Sequence, residues 1–182
     1  YTTVTMFSYN EILNRLNARA EELGLTINTA NTKTGIITLA FKTDKPEKYI
    51  DMGVTTRTFG REEFVFATAA SAGYKLPYVN SDNDYYKAWR AASLNCLITL
   101  QLSKINSNQT KASVSVNYIF TLETSYENTA FRKKAPATEK VTVTFSTNMP
   151  QEVNLGSSQT PVMVTPQSTG VLEQAILDIL AD

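Results

Sequence analysis

The amino-acid sequence contains no histidine and a single cysteine, Cys96, among its 182 residues. Without histidine the chain has no Ser-His-Asp or Cys-His catalytic group, no His-ligated zinc and no side chain that ordinarily titrates near neutral pH. One cysteine excludes an intramolecular disulfide and a metal site built from a cysteine pair. Cys96 lies in the strand-like stretch NCLITLQLS, so we expect a small buried side chain rather than a nucleophile. These absences favour a protein that is not an enzyme and needs no cofactor and no metal, with lysine, tyrosine or carboxylate chemistry still open.

Excess charge is also lacking, because 17 lysines and arginines balance 17 aspartates and glutamates. A chain without net positive charge has no overall electrostatic attraction to nucleic acid, so we expect no nucleic-acid partner. The longest apolar runs are a few residues, far short of the roughly 20 residues of a membrane-spanning helix. The beginning, Tyr1-Thr2-Thr3-Val4, has neither an initiator methionine nor a signal-like stretch. We therefore expect a mature or trimmed chain.

Two local signals predict a first helix. Ser8 and Glu11 have the spacing of a capping box, in which each side chain satisfies a backbone donor at the helix start. Apolar residues then recur at helical spacing, and Gly24 suits the left-handed position that follows a helix end. We expect a short strand over Tyr1–Met6 and a helix over Tyr9–Leu23.

Alternation of apolar and polar residues predicts most of the strands. The segments with this pattern are 25–29, 37–41, 95–103, 113–122 and 141–145. The first two form a hairpin around a polar turn. Strands joined by turns of hairpin length are expected to be antiparallel.

Residues 44–93 follow neither the helical nor the strand period well, and we interpret them as an irregular insertion. They contain Pro46, Pro77 and the alanine-rich stretch FATAASAG. Within them we expect a short strand at Phe64–Phe66. The stretch DYYKAWRAA, residues 84–92, places tyrosine, tryptophan and alanine side chains on one face of a helix, which we also expect.

The end of the chain, PQSTGVLEQAILDILAD, opens with a small polar step that is either an anion-binding turn or a helix cap. An anion site would need a preceding strand and a glycine-rich turn, and this stretch offers Gly170 alone. Ser168, Thr169 or Gly170 can each serve as a cap, and Gly170 would put Glu173 in the first helical turn, near the positive end of the helix dipole. We expect a second helix whose buried stripe comprises Leu172, Ile176, Ile179 and Leu180.

The predicted order of elements is β-α-β-β-(insertion)-β-β-β-α. Two helices can cover one face of an antiparallel sheet, which makes an α+β fold. The chain is long enough for one core, and no linker divides it. We expect a single α+β domain over 1–182, with the irregular insertion at about 44–93.

Several short motifs have a chemical interpretation that their context does not support. Ser81-Asp82-Asn83 and the triplet KTG at 33–35 match signatures of serine β-lactamases, but no S-x-x-K supplies a nucleophile and the order is reversed. The polar run at 80–84 begins like a calcium-binding loop but lacks the later glycine and glutamate. A loop that caps the helix predicted after it is the favoured interpretation.

Aromatic residues are dense between Phe59 and Trp89, where they could line a ligand groove or form a contact surface. The alternative is a small satellite core beneath a long loop. The candidate contact residues are Phe59, Phe64, Phe66, Tyr74, Tyr78, Tyr85, Tyr86 and Trp89. A basic patch, Arg132, Lys133 and Lys134, could meet an acidic partner or lipid headgroup, although flanking glutamates favour a solvated loop.

The chain start YTTVTMFSYNEILNRLNARAEELGLTINTANTKTGIITLAFK pairs an amphipathic helix with G-L-x-I and G-I-I-x-L-x-F strands. It resembles the small helix-grip-like, BamC-like ectodomains of bacterial cell-envelope lipoproteins, and the closing VTPQSTGVLEQAIL is similar to the ends of such domains. The resemblance implies a helix-grip-like fold, a location in the periplasm or at the outer membrane, and a scaffold or adaptor role with another envelope protein as partner. Membrane anchoring would then depend on a removed N-terminal lipid.

Three functions compete on this basis. The leading hypothesis is a non-enzymatic, periplasm-facing envelope lipoprotein domain that acts as a binding, adaptor or assembly module. The second is a carrier of a small apolar ligand held between the sheet and the C-terminal helix. The third is an enzyme that uses carboxylates such as Glu62, Glu63, Asp82 or Asp84, which requires two of them to be buried together.

Overall fold

Strands dominate the fold. The computed structural model describes residues 1–77, 85–129, 134–147, 149, 151–156 and 162–181, of which 59% lie in strands and 14% in helices. The helices are α1, Tyr9–Arg19, and α2, Val171–Ile179, and one turn of 3₁₀ helix covers Pro46–Lys48. The strands in chain order are β1 Thr2–Thr5, β2 Leu25–Asn31, β3 Ile36–Thr43, β4 Ile50–Asp51, β5 Val54–Phe59, β6 Glu62–Ala67, β7 Ala72–Pro77, β8 Tyr85–Asn106, β9 Gln109–Asn128, β10 Glu139–Ser146, β11 Val153–Asn154, β12 Met163–Val164 and β13 Gln167–Ser168.

One antiparallel sheet of seven strands is built around the long hairpin of β8 and β9, which have 22 and 20 residues. On the other edge of β8, β7 pairs with its first part and β3 with its second part, and β2 follows β3. On the other edge of β9 lie β1 and β10. Strands β5 and β6 form a separate hairpin that contacts β7. The predicted hairpin at 25–41 and the strands predicted at 95–103, 113–122 and 141–145 are confirmed.

Side chains alternate along the long strands, so one face of the sheet, here called the inner face, is buried while the other is wet. In β8 every second residue from Ala88 to Leu102 is buried, and in β9 the same holds from Ala112 to Thr124. Cys96 is 1% exposed on the inner face, as predicted. Side chains of α1 and α2 complete the core against this face.

The predicted capping box starts α1. Ser8 Oγ accepts from the Glu11 N–H at 3.4 Å, and Glu11 Oε2 accepts from the Ser8 N–H at 2.7 Å. The helix ends at Arg19 rather than at the predicted Leu23, because the Leu23 N–H is shared between the carbonyls three and four residues earlier and the last turn tightens. Gly24 follows with a φ of +68°, the left-handed conformation expected of it.

Helix α2 begins and packs as predicted. Gly170 is its N-cap with a φ of +79°. The buried stripe comprises Leu172, Ile176, Ile179 and Leu180, together with Leu177. No helix in the described ranges is both long and apolar enough to cross a membrane.

The predicted α+β fold, with two helices covering one face of the sheet, is wrong. Helices of 11 and 9 residues are about 16 and 14 Å long, whereas a strand of 22 residues reaches up to about 70 Å. The helices therefore cover part of the inner face, and the helix-grip-like fold that the resemblance implied is contradicted. The protein is mostly one large antiparallel sheet.

The chain between 44 and 93, which we interpreted as irregular, contains β4 to β7 and the first part of β8. The short strand predicted at Phe64–Phe66 is confirmed by β6. The helix predicted over 84–92 is wrong, since Tyr85 and the residues after it belong to β8. Pairing with β7 on one side and β9 on the other outweighs a helical spacing that spans barely two turns.

Candidate functional site

Two charged side chains are buried among the described residues. Arg90 is 9% exposed and Glu173 is 0% exposed. A charge removed from water is destabilising unless hydrogen bonds or an opposite charge compensate it. Each of these two groups therefore needs a physical explanation, and each is a candidate for function.

The Glu173 carboxylate is held by three hydroxyl donors, which we call the Glu173 cluster. Tyr118 Oη and Thr147 Oγ1 donate to its Oε1 at 2.8 and 2.9 Å. Ser168 Oγ lies 2.8 Å from Oε1 and 3.0 Å from Oε2, and it accepts from the Gly170 N–H at 2.9 Å. Because Glu173 is the third residue of α2, the unpaired N–H groups of the helix start also favour its negative charge.

The Glu173 cluster is closed to ligands. Neither Glu173 nor Tyr118 has exposed surface, and the Tyr118 ring stacks on Phe145 with centroids 5.1 Å apart. Burial raises the pKa of the Tyr118 hydroxyl above its ordinary value, and burial followed by the charge of Glu173 raises the pKa of the Cys96 thiol to about 12. Both groups stay protonated at neutral pH, so Cys96 is no nucleophile. The cluster fastens α2 to the sheet.

A cleft of about 360 Å³ lies on the inner face, toward the start of β8 and the end of β9. Its floor comes from β8 and β9, one wall from β7 and the β5–β6 hairpin, and the other wall from Leu155, Gly156 and Val162. We call it the arginine cleft. Its lining residues are Thr55, Arg57, Thr68, Tyr74, Leu76, Arg90, Leu122, Thr124, Tyr126, Glu139, Leu155, Gly156 and Val162.

Arg90 is the buried cation in the floor of the arginine cleft. Its Nη2 donates to the Thr68 carbonyl at 2.6 Å, and its guanidinium carbon lies 5.0 Å from the centroid of the Phe66 ring. Its buried Nε has no hydrogen-bond partner within the described ranges, and none of the ion pairs found there includes it. Burial lowers the pKa of Arg90, yet a guanidinium remains charged at neutral pH. Arg90 thus keeps unused capacity to donate a hydrogen bond.

Arg90 is also one end of a polar row that crosses three strands. The strand register sets Arg90 opposite Thr124, and Thr124 opposite Glu139. Adjacent strands are about 4.8 Å apart, so the backbones of Arg90 and Glu139 are roughly 10 Å apart. Tyr126 Oη donates to Glu139 Oε2 at 3.3 Å, and burial, reinforced by Glu139, raises the pKa of Tyr126 to about 12. At neutral pH this hydroxyl is a donor.

A second cation stands on the hairpin wall. Arg57 is exposed, and its guanidinium carbon lies 5.8 Å from the centroid of the Tyr74 ring, which stacks on Phe66 at 5.8 Å. The cleft therefore places two arginines around an aromatic pair, with Glu139 as the one carboxylate among its lining residues. Its lining carries a net charge of +1.

Part of the predicted aromatic contact set lies at this cleft. Tyr74 lines it, Phe66 packs beneath Arg90, and Phe64 is opposite Arg57 in the hairpin. These three side chains are half-buried. Their role in binding stays a prediction.

Two more candidates, Phe59 and Tyr85, form a separate aromatic pair with centroids 5.1 Å apart. Lys75 Nζ lies 5.8 and 5.3 Å from these two rings and pairs with the Glu62 carboxylate at 2.8 Å. Glu62 is therefore engaged in an exposed ion pair rather than in a buried acid pair.

The remaining candidates are dispersed. Trp89 is 55% exposed on the outer face, where its ring covers Gly73 so closely that an added Cβ would lie 2.8 Å from Cζ3. Tyr86 is half-buried opposite Leu76. Tyr78 lies outside the described residues.

In the described part of the chain, the basic patch and the acidic candidates add no further site. Lys134 and Glu63 are exposed. The other members of these predicted sets, together with the S-D-N triplet, lie outside the described residues; they are Arg132, Lys133, Ser81, Asp82, Asn83 and Asp84. Groups of three or more potential metal-ligating His, Cys, Asp or Glu side chains do not occur in the portion of the chain that the structure describes.

The position proposed for a carrier, between the sheet and α2, is filled by the protein itself. Ile176 and Leu180 have no exposed surface, and Leu172 and Ile179 are 3% and 2% exposed. A larger open groove of about 710 Å³ lies near the β8–β9 turn, lined largely by exposed turn residues. The arginine cleft is the better candidate because it holds a buried charge.

The residues that carry the arginine cleft were not identified from the sequence. Arg57, Arg90, Thr124 and Glu139 come from four different strands, and no local motif joins them. One signal was available in the sequence. If 88–92 is taken as a strand, Arg90 lies between two alanines on its apolar face, where a charged residue is unexpected.

No protein-family model, characterised protein or solved structure matches this chain. The fold and the cleft define the protein as an antiparallel-sheet protein with an arginine-lined cleft on its inner face. The resemblance to envelope lipoproteins stays a prediction from sequence.

Proposed function

We propose that the protein is a non-enzymatic binding module of the bacterial cell envelope, and that it recognises its ligand in the arginine cleft. Arg90 carries this proposal: its buried guanidinium lines an open cleft and takes part in none of the ion pairs found in the described chain. A bound anion would supply both the opposite charge and a hydrogen-bond acceptor.

The side chains that face the cleft favour binding over catalysis. Arg57 and Arg90 are permanent cations, which position anions without exchanging protons. The pKa of Tyr126 is raised to about 12, so its hydroxyl remains a donor to Glu139. These groups suit the holding of a charged ligand rather than the activation of a nucleophile.

Thermal unfolding tests the ligand site, because a ligand that binds the folded state raises the melting temperature. We expect sodium salts of small carboxylates or phosphate to stabilise the protein more than sodium chloride at equal ionic strength. Arg90→Met should abolish the difference, and Arg61→Gln, an exposed arginine of the same hairpin that does not line the cleft, should preserve it. A wild-type protein that no such anion stabilises contradicts the proposal.

The envelope location is proposed from the resemblance of the chain ends to lipoprotein ectodomains. The protein would reside in the periplasm or at the outer membrane, where a covalently attached N-terminal lipid would anchor it. The coding sequence upstream of Tyr1 is the test. A lipobox cysteine supports this location, and a precursor without any signal peptide contradicts it.

An adaptor role is a second candidate, favoured by exposed apolar side chains outside the cleft. Val65 on the hairpin is 60% exposed and Trp89 on the outer face is 55% exposed. A photo-crosslinking residue at position 65 should join the protein to one envelope protein in cells, whereas the same residue at the exposed position of Val171 on α2 should not. Equal labelling from both positions would count against a specific partner.

A further inference from the structure

We infer that the arginine cleft binds an amphipathic monocarboxylate, whose carboxylate lies on Arg90 and Arg57 and whose apolar body lies against Leu122, Leu155 and Val162. The inference rests on the proposed function. It adds the charge of the ligand, its head group and its apolar part.

The head group follows from the guanidinium chemistry. The planar fork of arginine matches a carboxylate, and charge-assisted bonds of this kind are roughly twice as strong as neutral ones. Arg90 is fixed in place by the Thr68 carbonyl and the Phe66 ring, so little side-chain entropy is lost when it binds. Arg57 stands on the hairpin wall of the same cleft as a second donor.

The charges of the lining residues indicate that the ligand carries a single negative charge. Two arginines and one glutamate among the lining residues leave a net charge of +1, which one carboxylate neutralises. Glu139 lies two strands from Arg90 in the same row. A second negative charge on the ligand would meet Glu139 without a cation of its own.

The apolar body follows from the far wall. Leu122 is on the floor, two residues from Thr124 on the same face of β9, and is 6% exposed. The facing segment is held by a hydrogen bond from the Leu155 N–H to the Val162 carbonyl at 2.9 Å, and Val162 is 40% exposed. An apolar chain laid there would remove this surface from water. About 360 Å³ is at the small end of the range for ligand sites.

Isothermal titration of the full chain with acetate, butanoate, hexanoate and octanoate tests the inference. Each methylene that enters the cleft should tighten binding about threefold to fourfold until the wall is covered. Octanoate is expected to bind at least tenfold more tightly than acetate. Octan-1-ol, which has the body without the charge, should bind at least tenfold more weakly than octanoate.

Variants with matched controls assign the contacts. Arg57→Gln and Val162→Ser should each weaken octanoate binding severalfold, whereas Arg61→Gln and Val171→Ser, also exposed, should not. Arg90→Met should abolish binding. If that variant fails to fold, the comparisons of Arg57→Gln with Arg61→Gln and of Val162→Ser with Val171→Ser still test whether octanoate binds in the cleft.

The outcomes separate this inference from the proposed function. Acetate or phosphate binding as tightly as octanoate, in an Arg57-dependent manner, overturns the inference and leaves an anion-binding protein. Glu139→Gln should strengthen octanoate binding, because it removes a like charge. Loss of octanoate binding in that variant would show that Glu139 supports the carboxylate site rather than opposing it and would overturn the inference, and a chain that binds none of the anions overturns both.

Discussion

At the scale of residues, the two buried charges are stabilised in different ways. Glu173 accepts from three hydroxyl groups and lies at a helix start, so its hydrogen-bonding capacity is used within the fold. Arg90 has one carbonyl and one aromatic ring, and its Nε is unused in the described structure. An unsatisfied buried donor destabilises a protein by about 1–3 kcal/mol. Glu173 therefore has a structural role, whereas the unused donor of Arg90 supports the proposed ligand site.

We expect Glu173→Ala to lower the free energy of unfolding by about 3 kcal/mol, because one buried and two half-buried hydroxyl groups lose their acceptor and a cavity forms at the start of α2. Urea denaturation followed by circular dichroism measures the loss. The control is Asp178→Asn on the exposed side of the same helix, where the carboxylate accepts from Gln174 at 2.7 Å. That change should stay within about 0.5 kcal/mol. A Glu173→Ala protein as stable as the wild type would contradict the structural role.

At the scale of elements, α2 depends on a junction with the first residue of the chain. Gly170 caps the helix in the left-handed conformation, and a Cβ at this position would collide with the hydroxyl end of Tyr1. The Tyr1 carbonyl in turn accepts from the Val114 N–H at 2.8 Å. The start of α2 is thus packed on a residue that is itself tied to β9.

Gly170→Ala should destabilise the protein by about 2–3 kcal/mol, of which about 1–2 kcal/mol comes from the positive φ and the remainder from the collision with Tyr1. Gly53→Ala separates the two causes, because Gly53 has a φ of +76° and open space around an added Cβ. Gly53→Ala should therefore lower the free energy of unfolding by less than Gly170→Ala does. In thermal unfolding, Gly170→Ala should be less destabilising in a Tyr1→Ala background than in the wild type, because the side chain with which the new Cβ collides is absent. If Gly170→Ala and Gly53→Ala lower the free energy of unfolding equally, the Tyr1 side chain moves aside at no cost and the collision does not contribute.

At the scale of the whole molecule, the elements that could be predicted were those with local signals. The capping box of Ser8 and Glu11 and the cap at Gly170 depend on residues a few positions apart, and the alternation at 95–122 is visible within each strand. The first part of β8 could not be predicted because its tyrosines and alanines fit a helix as well as a strand. Its conformation is decided by β7 and β9, which pair with it from both sides.

The arginine cleft was beyond prediction for a related reason. Arg57 and Val162 are distant in sequence and line the same cleft only once the chain is folded. The aromatic residues between Phe59 and Trp89 include one side chain that lines the cleft, Tyr74. The sequence pattern did not distinguish Tyr74 from Trp89, which covers Gly73 on the opposite face.

The stability of the whole molecule should fall in alkaline solution. Burial raises the pKa of Cys96 from its ordinary 9.0 to about 12 and also raises the pKa of Tyr118 above its ordinary 10.0. Above about pH 9 the unfolded chain therefore releases protons that the folded chain retains, and ionisation favours unfolding. The stabilisation from neutral burial is complete below pH 9 and is lost progressively toward pH 12, by at most about 1.4 kcal/mol per pH unit for each group.

Urea midpoints measured at intervals from pH 7 to pH 11 test this alkaline dependence. The midpoint should be level to about pH 8.5 and then decline. Cys96→Ala should make the first part of the decline shallower, because the group that ionises earliest in the unfolded chain is removed, even though the smaller side chain lowers stability at every pH. A midpoint that stays level to pH 11 in the wild type would mean that these side chains are less deeply buried than the fold places them.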